Sequence, residues 1–352
     1  MVLSKSEVVD VLKGVIYFAK GDNIVDLGML DGLELGEGSI SFRLVFPRTD
    51  EPAVNIVINS ANKALIEAFG EDIRIDIKPV SEKEKGRGPL SGVKYLIAVA
   101  SGKGGVGKST VAANLAIALA RSGAKVGLVD ADIYGPSIPM MFGVEGQQPG
   151  VFEREGKPVI VPIEKFGIKL LSIGFFVDTN KPLVWRGPMA TSALNQLLSD
   201  ADWGVLDFLI IDLPPGTGDI QLTLAQSYSV TGAVVVTTPQ KLAFADVKRA
   251  ASMFNQEKLH IPLLGLIENM AYFTPQDAPD KKYYIFGKGH GERFASELGI
   301  PLLGQIPIVE QITEGGDSGN PIALDDESPV ARSFADIAHA VRNRITAILL
   351  QK

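Results

Sequence analysis

The chain has 352 residues, 46% of them apolar, a formal net charge of −7 and no cysteine. Its length and apolar content allow one large and one small domain with a sizeable core, and the acidic balance argues against a nucleic-acid footprint. The missing thiols exclude disulfides and thiolate metal sites within this sequence, and no apolar run approaches the ~18 residues of a membrane span.

The first residues, MVLSKSEVVDVLKG, lack the apolar core and cleavage site of a signal peptide, so a cytoplasmic protein is expected. Ser4 and Glu7 have capping-box spacing, and Val8, Val9, Leu12, Val15 and Ile16 follow as a helical stripe. In SISFRLVF, residues 39–46, apolar residues alternate as in a strand. A second helix is predicted over about residues 60–69, ending at Gly70, with IRIDI as a strand after it. Residues 1–79 therefore read as a small α+β domain. VSEKEKGRGPLSG, Val80 to Gly92, is charged, carries Gly and Pro, and has no apolar period; residues 80–93 read as a linker.

From residue 94 to 352 the texture is α/β. Apolar runs (YLIAVA, KVGLVD, DFLIID, AVVVTT, LLGLIENM and LLGQIPI) alternate with helical patterns. Strands apolar on both faces and separated by helices predict a doubly wound, mostly parallel sheet. Such sheets bind ligands beyond the carboxyl ends of their strands, so the residues just after each run carry the information.

After YLIAVA comes SGKGGVGKST, then VAANLAIALARSG as a helix. Gly102 through Ser109 satisfy G-x-x-x-x-G-K-[ST] in the strand-to-helix context that gives the pattern its meaning. Gly104, Gly105, Val106, Gly107, Lys108, Ser109 and Thr110 are thus expected to cradle a nucleotide's phosphates. Backbone amides and the helix N-terminus supply positive potential, Lys108 reaches the β- and γ-phosphates, and Ser109 ligates Mg²⁺. Asp212 ends DFLIID and is the expected Mg²⁺ carboxylate, and the N–H of Gly216 in the following turn is expected at the γ-phosphate. Asp130 and Asp132 follow KVGLVD on one face; Asp130 is assigned near the metal and Asp132 to the attacking water. Asn269 and Pro307, each just past a strand, are assigned to the base. No N-K-x-D sequence follows the phosphate loop, so ATP is preferred to GTP.

Other segments receive weaker expectations. Arg186 could meet phosphate or form a structural ion pair, and Lys241 and Asp246 could line the base pocket or a dimer face. Gly315, Gly316 and Asp317 read as a turn, and KKYYIFGKG as a packed or partner-facing loop. The C-terminal stripe Val330, Phe334, Ile337, Val341, Ile345 and Leu349 reads as a helix covering the sheet rather than a membrane anchor.

KGGVGKST, VDADIYGPS, WRGPM, DFLIIDLPPGTGD, ENMAYF and GQIPI resemble the Mrp/ApbC group of iron–sulfur cluster carrier ATPases, within the MinD/ParA-like deviant Walker A class. KGVIYFAKGDNIVDLGML resembles the MIP18-type domain fused to such proteins. The resemblance implies a slow Mg²⁺-dependent ATPase, a homodimer, and iron–sulfur assembly proteins or client apoproteins as partners. It also implies a role for Lys103, five residues before Lys108: crossing a two-fold interface to the partner's nucleotide, where a cation supplied in trans stabilises the transferred phosphoryl group. The sequence departs from the family at one place. The C-x-x-C pair that would hold a cluster after ENMAYF is replaced by Thr274, Pro275, Gln276 and Asp277, and iron–sulfur clusters require thiolates. Three readings stay open: cluster assembly with the cluster held by a partner, a nucleotide-switched scaffold for another client, and a MinD-like membrane-associating switch.

Overall fold

A computed structural model describes residues 4–36, 38–46, 52–70, 72–81, 90–154, 156–176, 187–256, 259, 261–275, 277–278 and 281–350. The chain divides into two units, Met1–Ser91 and Gly92–Lys352.

In the first unit, α1 (Lys5–Leu12) opens with the capping box. Ser4 Oγ accepts from the Glu7 N–H at 3.3 Å, and Glu7 Oε2 accepts from the Ser4 N–H at 3.0 Å. The helix stops at Leu12, so the predicted stripe is cut short. Val15 leaves the helix, and Ile16 starts β1 (Ile16–Tyr17), which pairs with β2 (Asp22–Asn23). β3 (Leu30–Gly36), β4 (Ser39–Phe46) and β5 (Arg74–Ser81) form a three-stranded sheet in that order. β4 and β5 run parallel, which requires a crossover. The crossover is α2 (Pro52–Phe69), which starts well before the predicted position. β5 extends to Ser81, into the segment read as linker, and residues 82–89 of that segment lie outside the described residues. Leu12, Ile24, Leu44, Phe46 and Leu65 are fully buried and form the core of this unit; each such side chain stabilises it by about 1.5–3 kcal/mol.

The second unit is built on β6 (Val93–Ser101), α3 (Lys108–Arg121), β7 (Val126–Asp130) and the single turn α4 (Ile138–Met141). β8 (Gly150–Arg154) and β9 (Lys157–Val161) form a separate hairpin; β10 (Ile163–Lys165) and β11 (Ile168–Ser172) join the main sheet. Then come α5 (Gly187–Ser199), β12 (Leu206–Asp212), α6 (Asp219–Ser227), β13 (Gly232–Thr237) and α7 (Lys241–Phe254). β14 (Leu263–Glu268), α8 (His290–Leu298), β15 (Leu302–Gln305), α9 (Glu310–Asp317) and α10 (Pro329–Leu349) complete it. The eight-stranded sheet has the order β10-β11-β7-β12-β6-β13-β14-β15 and is parallel except for β10.

Each predicted apolar run is a strand of this sheet. β8 to β11 were not predicted: β8 to β10 are largely exposed or half-buried, and β11, though buried, is a run of five residues interrupted by Lys169. Gly315, Gly316 and Asp317, read as a turn, instead end helix α9. α10 buries Val330, Phe334, Ile337, Val341 and Ile345 in the same core as Ile97 and Leu119. Among the described residues no helix is long and apolar enough to cross a membrane.

Register decides what the sheet presents at its carboxyl edge. Asp212 of β12 stands opposite Val99 of β6 and Asp130 of β7, and Asp130 stands opposite Ser172 of β11. Two strand-end carboxylates are thereby set side by side, next to the strand that feeds the glycine-rich loop.

Candidate functional site

The loop from Ser101 to Gly107 turns between β6 and α3, and only glycine fits at two of its positions. At Gly102 a Cβ would lie 2.2 Å from the Asp246 backbone of α7. At Gly107, where φ is +77°, it would lie 2.2 Å from Asn269 Nδ2. Gly104 and Gly105 are exposed at the mouth of the loop.

Lys108, the first residue of α3, is buried. Its Nζ donates to Asp212 Oδ1 at 2.6 Å, lies 3.3 Å from Ser109 Oγ, and is 3.5 Å from Asp132 Oδ2. One ammonium thus faces two carboxylates, with Asp130 beside them. Burial, the largest influence, raises the Asp212 carboxyl above its ordinary value, although Lys108 and Ser109 pull it down. Asp212 Oδ2 is buried and meets no donor among the described residues. An excess of buried carboxylate, an unpartnered oxygen and an adjacent hydroxyl are a donor set that a hard divalent cation fits.

Asp130 was expected at the metal, and the structure assigns its oxygens elsewhere. Oδ1 accepts from the Asp132 N–H at 3.2 Å; Oδ2 accepts from the Ile138 N–H at 3.2 Å and from Ser172 Oγ at 3.0 Å. The carboxylate therefore shapes the loop that carries Asp132. Its burial, followed by repulsion from Asp212, pushes its pKa up to about 7 against these donors. Asp132 itself accepts from the Tyr134 N–H at 3.3 Å and keeps Oδ2 toward Lys108.

The Gly216 N–H, expected at the phosphate, donates here to the Ser101 carbonyl at 2.9 Å. The turn it belongs to is braced from α6 by Gln221, a buried residue the sequence reading passed over. Lys103 Nζ donates to Gln240 Oε1 of its own chain at 2.8 Å.

Asn269 Nδ2 donates to the Val106 carbonyl at 2.9 Å, tying the end of β14 to the phosphate loop. Next to it Met270 has a φ of +55°, a strained value for a residue with a side chain. A largely apolar cavity of about 400 Å³ opens here, lined by Gly107, Thr110, Asn269, Met270, Phe286 and Pro307. Pro307 is held in place because the Ile308 N–H donates to the Tyr272 carbonyl at 2.7 Å. Met141, Ile312 and Asp317 also face this space. They come from a short turn and from α9, neither of which carries a recognisable motif. Lys241 and Asp246 do not line it; Asp246 pairs with Arg249.

Where the cysteine pair was sought, Phe273 and Tyr283 exchange backbone hydrogen bonds at 2.8 Å. Lys282 lies 4.0 Å from the centre of the Tyr272 ring, and Lys288 lies 4.9 Å from that of Tyr284. Among the described residues no group of three or more His, Asp or Glu could hold a metal ion. His290 stacks on Phe294 at the start of α8. Trp185, Arg186, His260 and Gln276 lie outside the described residues. With no cysteine anywhere in the sequence, the residues present do not fit an iron–sulfur cluster.

A family model for ParA-type proteins, described as NUBPL iron-transfer P-loop NTPase, matches residues 92–342. An iron-sulfur cluster carrier protein from Synechocystis is 42% identical over 333 residues, 93% of this chain and 94% of its own. One from Aquifex aeolicus is 55% identical over 257 residues, 72% of this chain and 68% of its own. The solved structure of a nucleotide-binding protein from Archaeoglobus fulgidus in complex with ADP is 38% identical, with a TM-score of 0.60 over 70% of this chain and 93% of that one.

The raised Asp130 pKa gives a testable sign. Its folded value of about 7 lies above the unfolded value of about 3.9. The stability it contributes is complete below pH ~4 and is lost as pH rises toward ~7. Thermal melts of wild type and Asp130→Asn from pH 5 to 8 should show the difference moving in the variant's favour as pH rises, on the order of 2–3 kcal/mol. A difference that stays constant with pH would contradict the raised value.

Proposed function

The chain belongs to the ParA-type family of NUBPL iron-transfer P-loop NTPases, and on that premise we propose that it is a Mg²⁺-dependent, dimeric ATPase serving iron–sulfur cluster assembly or transfer. The observation that carries this reading is the placement of Lys108. The G-x-x-x-x-G-K-S loop holds its ammonium between Asp212 and Asp132 at the carboxyl edge of a parallel sheet. That is where a triphosphate meets backbone amides, a helix N-terminus and a cation together.

In this reading Lys108 exchanges Asp212 for the β- and γ-phosphates. Ser109 and Asp212 would hold Mg²⁺, which would supply neutralisation of charge on the phosphate oxygens. Asp132 orients the water that adds to the γ-phosphorus. The bond to the bridging oxygen breaks, ADP leaves, and the water's proton departs with the inorganic phosphate or to solvent. Asn269 and Pro307 border a cavity of about 400 Å³, a space suited to a purine nucleoside, so the base is read there. Lys103, on the rim of the loop beside the exposed Gly104 and Gly105, leaves Gln240 to reach the partner's γ-phosphate in a two-fold dimer.

The relatives at 42% and 55% identity are iron–sulfur cluster carrier proteins, and this supports the same line of work for this chain. The absence of thiolates favours a division of labour. This protein supplies the nucleotide cycle, and the cluster stays on thiolates of the donor or client. The cluster is cargo that passes near the chain without being ligated by it.

Three outcomes test the reading. ATP titration should give Mg²⁺-dependent binding, and Lys108→Ala should weaken it at least a hundredfold; no binding at millimolar ATP would refute it. Lys103→Ala should keep ATP affinity within a few-fold and lose most hydrolysis, because the trans cation acts on the transition state at roughly 10³–10⁵ in rate; full turnover by that variant would remove the trans role. Anaerobic reconstitution with iron and sulfide should give no stoichiometric visible chromophore on the isolated chain, and its appearance would overturn the division of labour.

A further inference from the structure

Gln221 lies in the first turn of α6, 1% exposed, and the nucleotide chemistry above does not use it. Its Nε2 donates to the Pro214 carbonyl at 2.7 Å and to the Gly216 carbonyl at 3.3 Å. Both neighbours are acceptors, so the nitrogen must face the turn. Oε1 is then left buried, with no donor among the described residues. The two carbonyls it holds flank the Gly216 N–H, which donates to the Ser101 carbonyl at 2.9 Å. The turn after Asp212 is therefore suspended between the start of the phosphate loop and α6, with Gln221 as its whole side-chain attachment to the helix among the hydrogen bonds of the described residues.

We propose that Gln221 is a positioning residue for hydrolysis: it aims the Gly216 N–H and carries that group's change of partner into α6. The inference rests on the reading of the loop as an ATP site. A γ-phosphate arriving beside Asp212 competes with the Ser101 carbonyl for the Gly216 N–H. When the N–H changes acceptor, the peptide planes on either side rotate and their carbonyls move. Gln221 shares one amide group between those two carbonyls, so it must follow. Its unpartnered Oε1 raises the free energy of the present arrangement, and an arrangement that gives it a donor is correspondingly favoured. This is a two-position element that a phosphate can bias. Beyond it, Thr223 and Thr191 hydroxyls meet at 3.2 Å, and Tyr228 donates to Asn195 Oδ1 at 2.9 Å, coupling α6 and its end to α5.

The test uses the full chain with Gln221→Met, close in shape but without donors, and Gln221→Glu, which sets oxygens against both carbonyls. For both, ATP affinity should stay within about threefold of wild type while kcat falls tenfold or more, since a misplacement of about 1 Å costs up to a hundredfold. The difference in amide exchange between ATP and ADP over residues 219–228, present in wild type, should vanish in Gln221→Met. Gln221→Glu should regain activity relative to wild type as pH falls from 8 to 6, because protonation restores one donor. A residue that merely filled space would not show that rise. Wild-type kcat and exchange in both variants would overturn the inference and leave the ATPase reading intact. Affinity lost in step with kcat would also overturn it, by making Gln221 a support of the binding fold. Wild type that binds no ATP would sink both, and that arm separates the two failures.

Discussion

Two buried carboxylates, Asp130 and Asp212, stand side by side at the end of adjacent parallel strands, and one buried ammonium, Lys108, answers Asp212 and the neighbouring Asp132. Like charges in a dry environment are costly unless something balances them. The fold answers in two ways. Asp130 accepts from Ser172 and from the backbone of the loop it organises, which offsets part of the cost of burying it. Asp212 keeps an oxygen without a donor, and Lys108 is held by that carboxylate rather than turned to solvent. The local excess is of buried carboxylate, which a divalent cation would balance, leaving Lys108 free to meet an anion.

The surrounding elements follow from that constraint. Gly102 lets the loop press against α7, and Gly107 lets Asn269 reach the Val106 carbonyl, so the phosphate loop is clamped from the β13–β14 side of the sheet. The apolar cavity beside the loop collects pieces from the phosphate loop, the end of β14, the segment past β15 and α9. The glycine-rich loop and this cavity thus share one edge of one sheet, as expected where helices cover both faces and leave only the strand ends open.

Among the described residues nothing comparable is built for a metal cluster. After ENMAYF, Phe273 pairs with Tyr283 through the backbone, and Lys282 and Lys288 lie over tyrosine rings. Such contacts favour a fixed surface over a reactive one. Membership of an iron-transfer family therefore coexists here with a sequence that supplies no thiolate for a cluster.

The phosphate loop, the strands carrying Asp130, Asp212 and Asn269, and the covering helix α10 were legible in the sequence. Each depends on local chemistry: an apolar run long enough for a buried strand, glycines at a turn, a stripe of period 3.6. The end of α1, the start of α2 and the short strands β8 to β11 were not legible, because their apolar pattern is weak or brief and tertiary contacts decide them. The same division runs through the site. Sequence pointed to Lys108 by the glycine-rich pattern and to Asp212 and Asp132 by their place after apolar strand runs, and the structure brings the three together. It could not show that Asp130 turns to the loop, that Gly216 points to Ser101, that Lys103 rests on Gln240, or that Gln221 holds the turn. Those are matters of which hydrogen-bond partner wins, and the competitors lie on strands and helices far apart in the chain, brought together only by the register of the sheet.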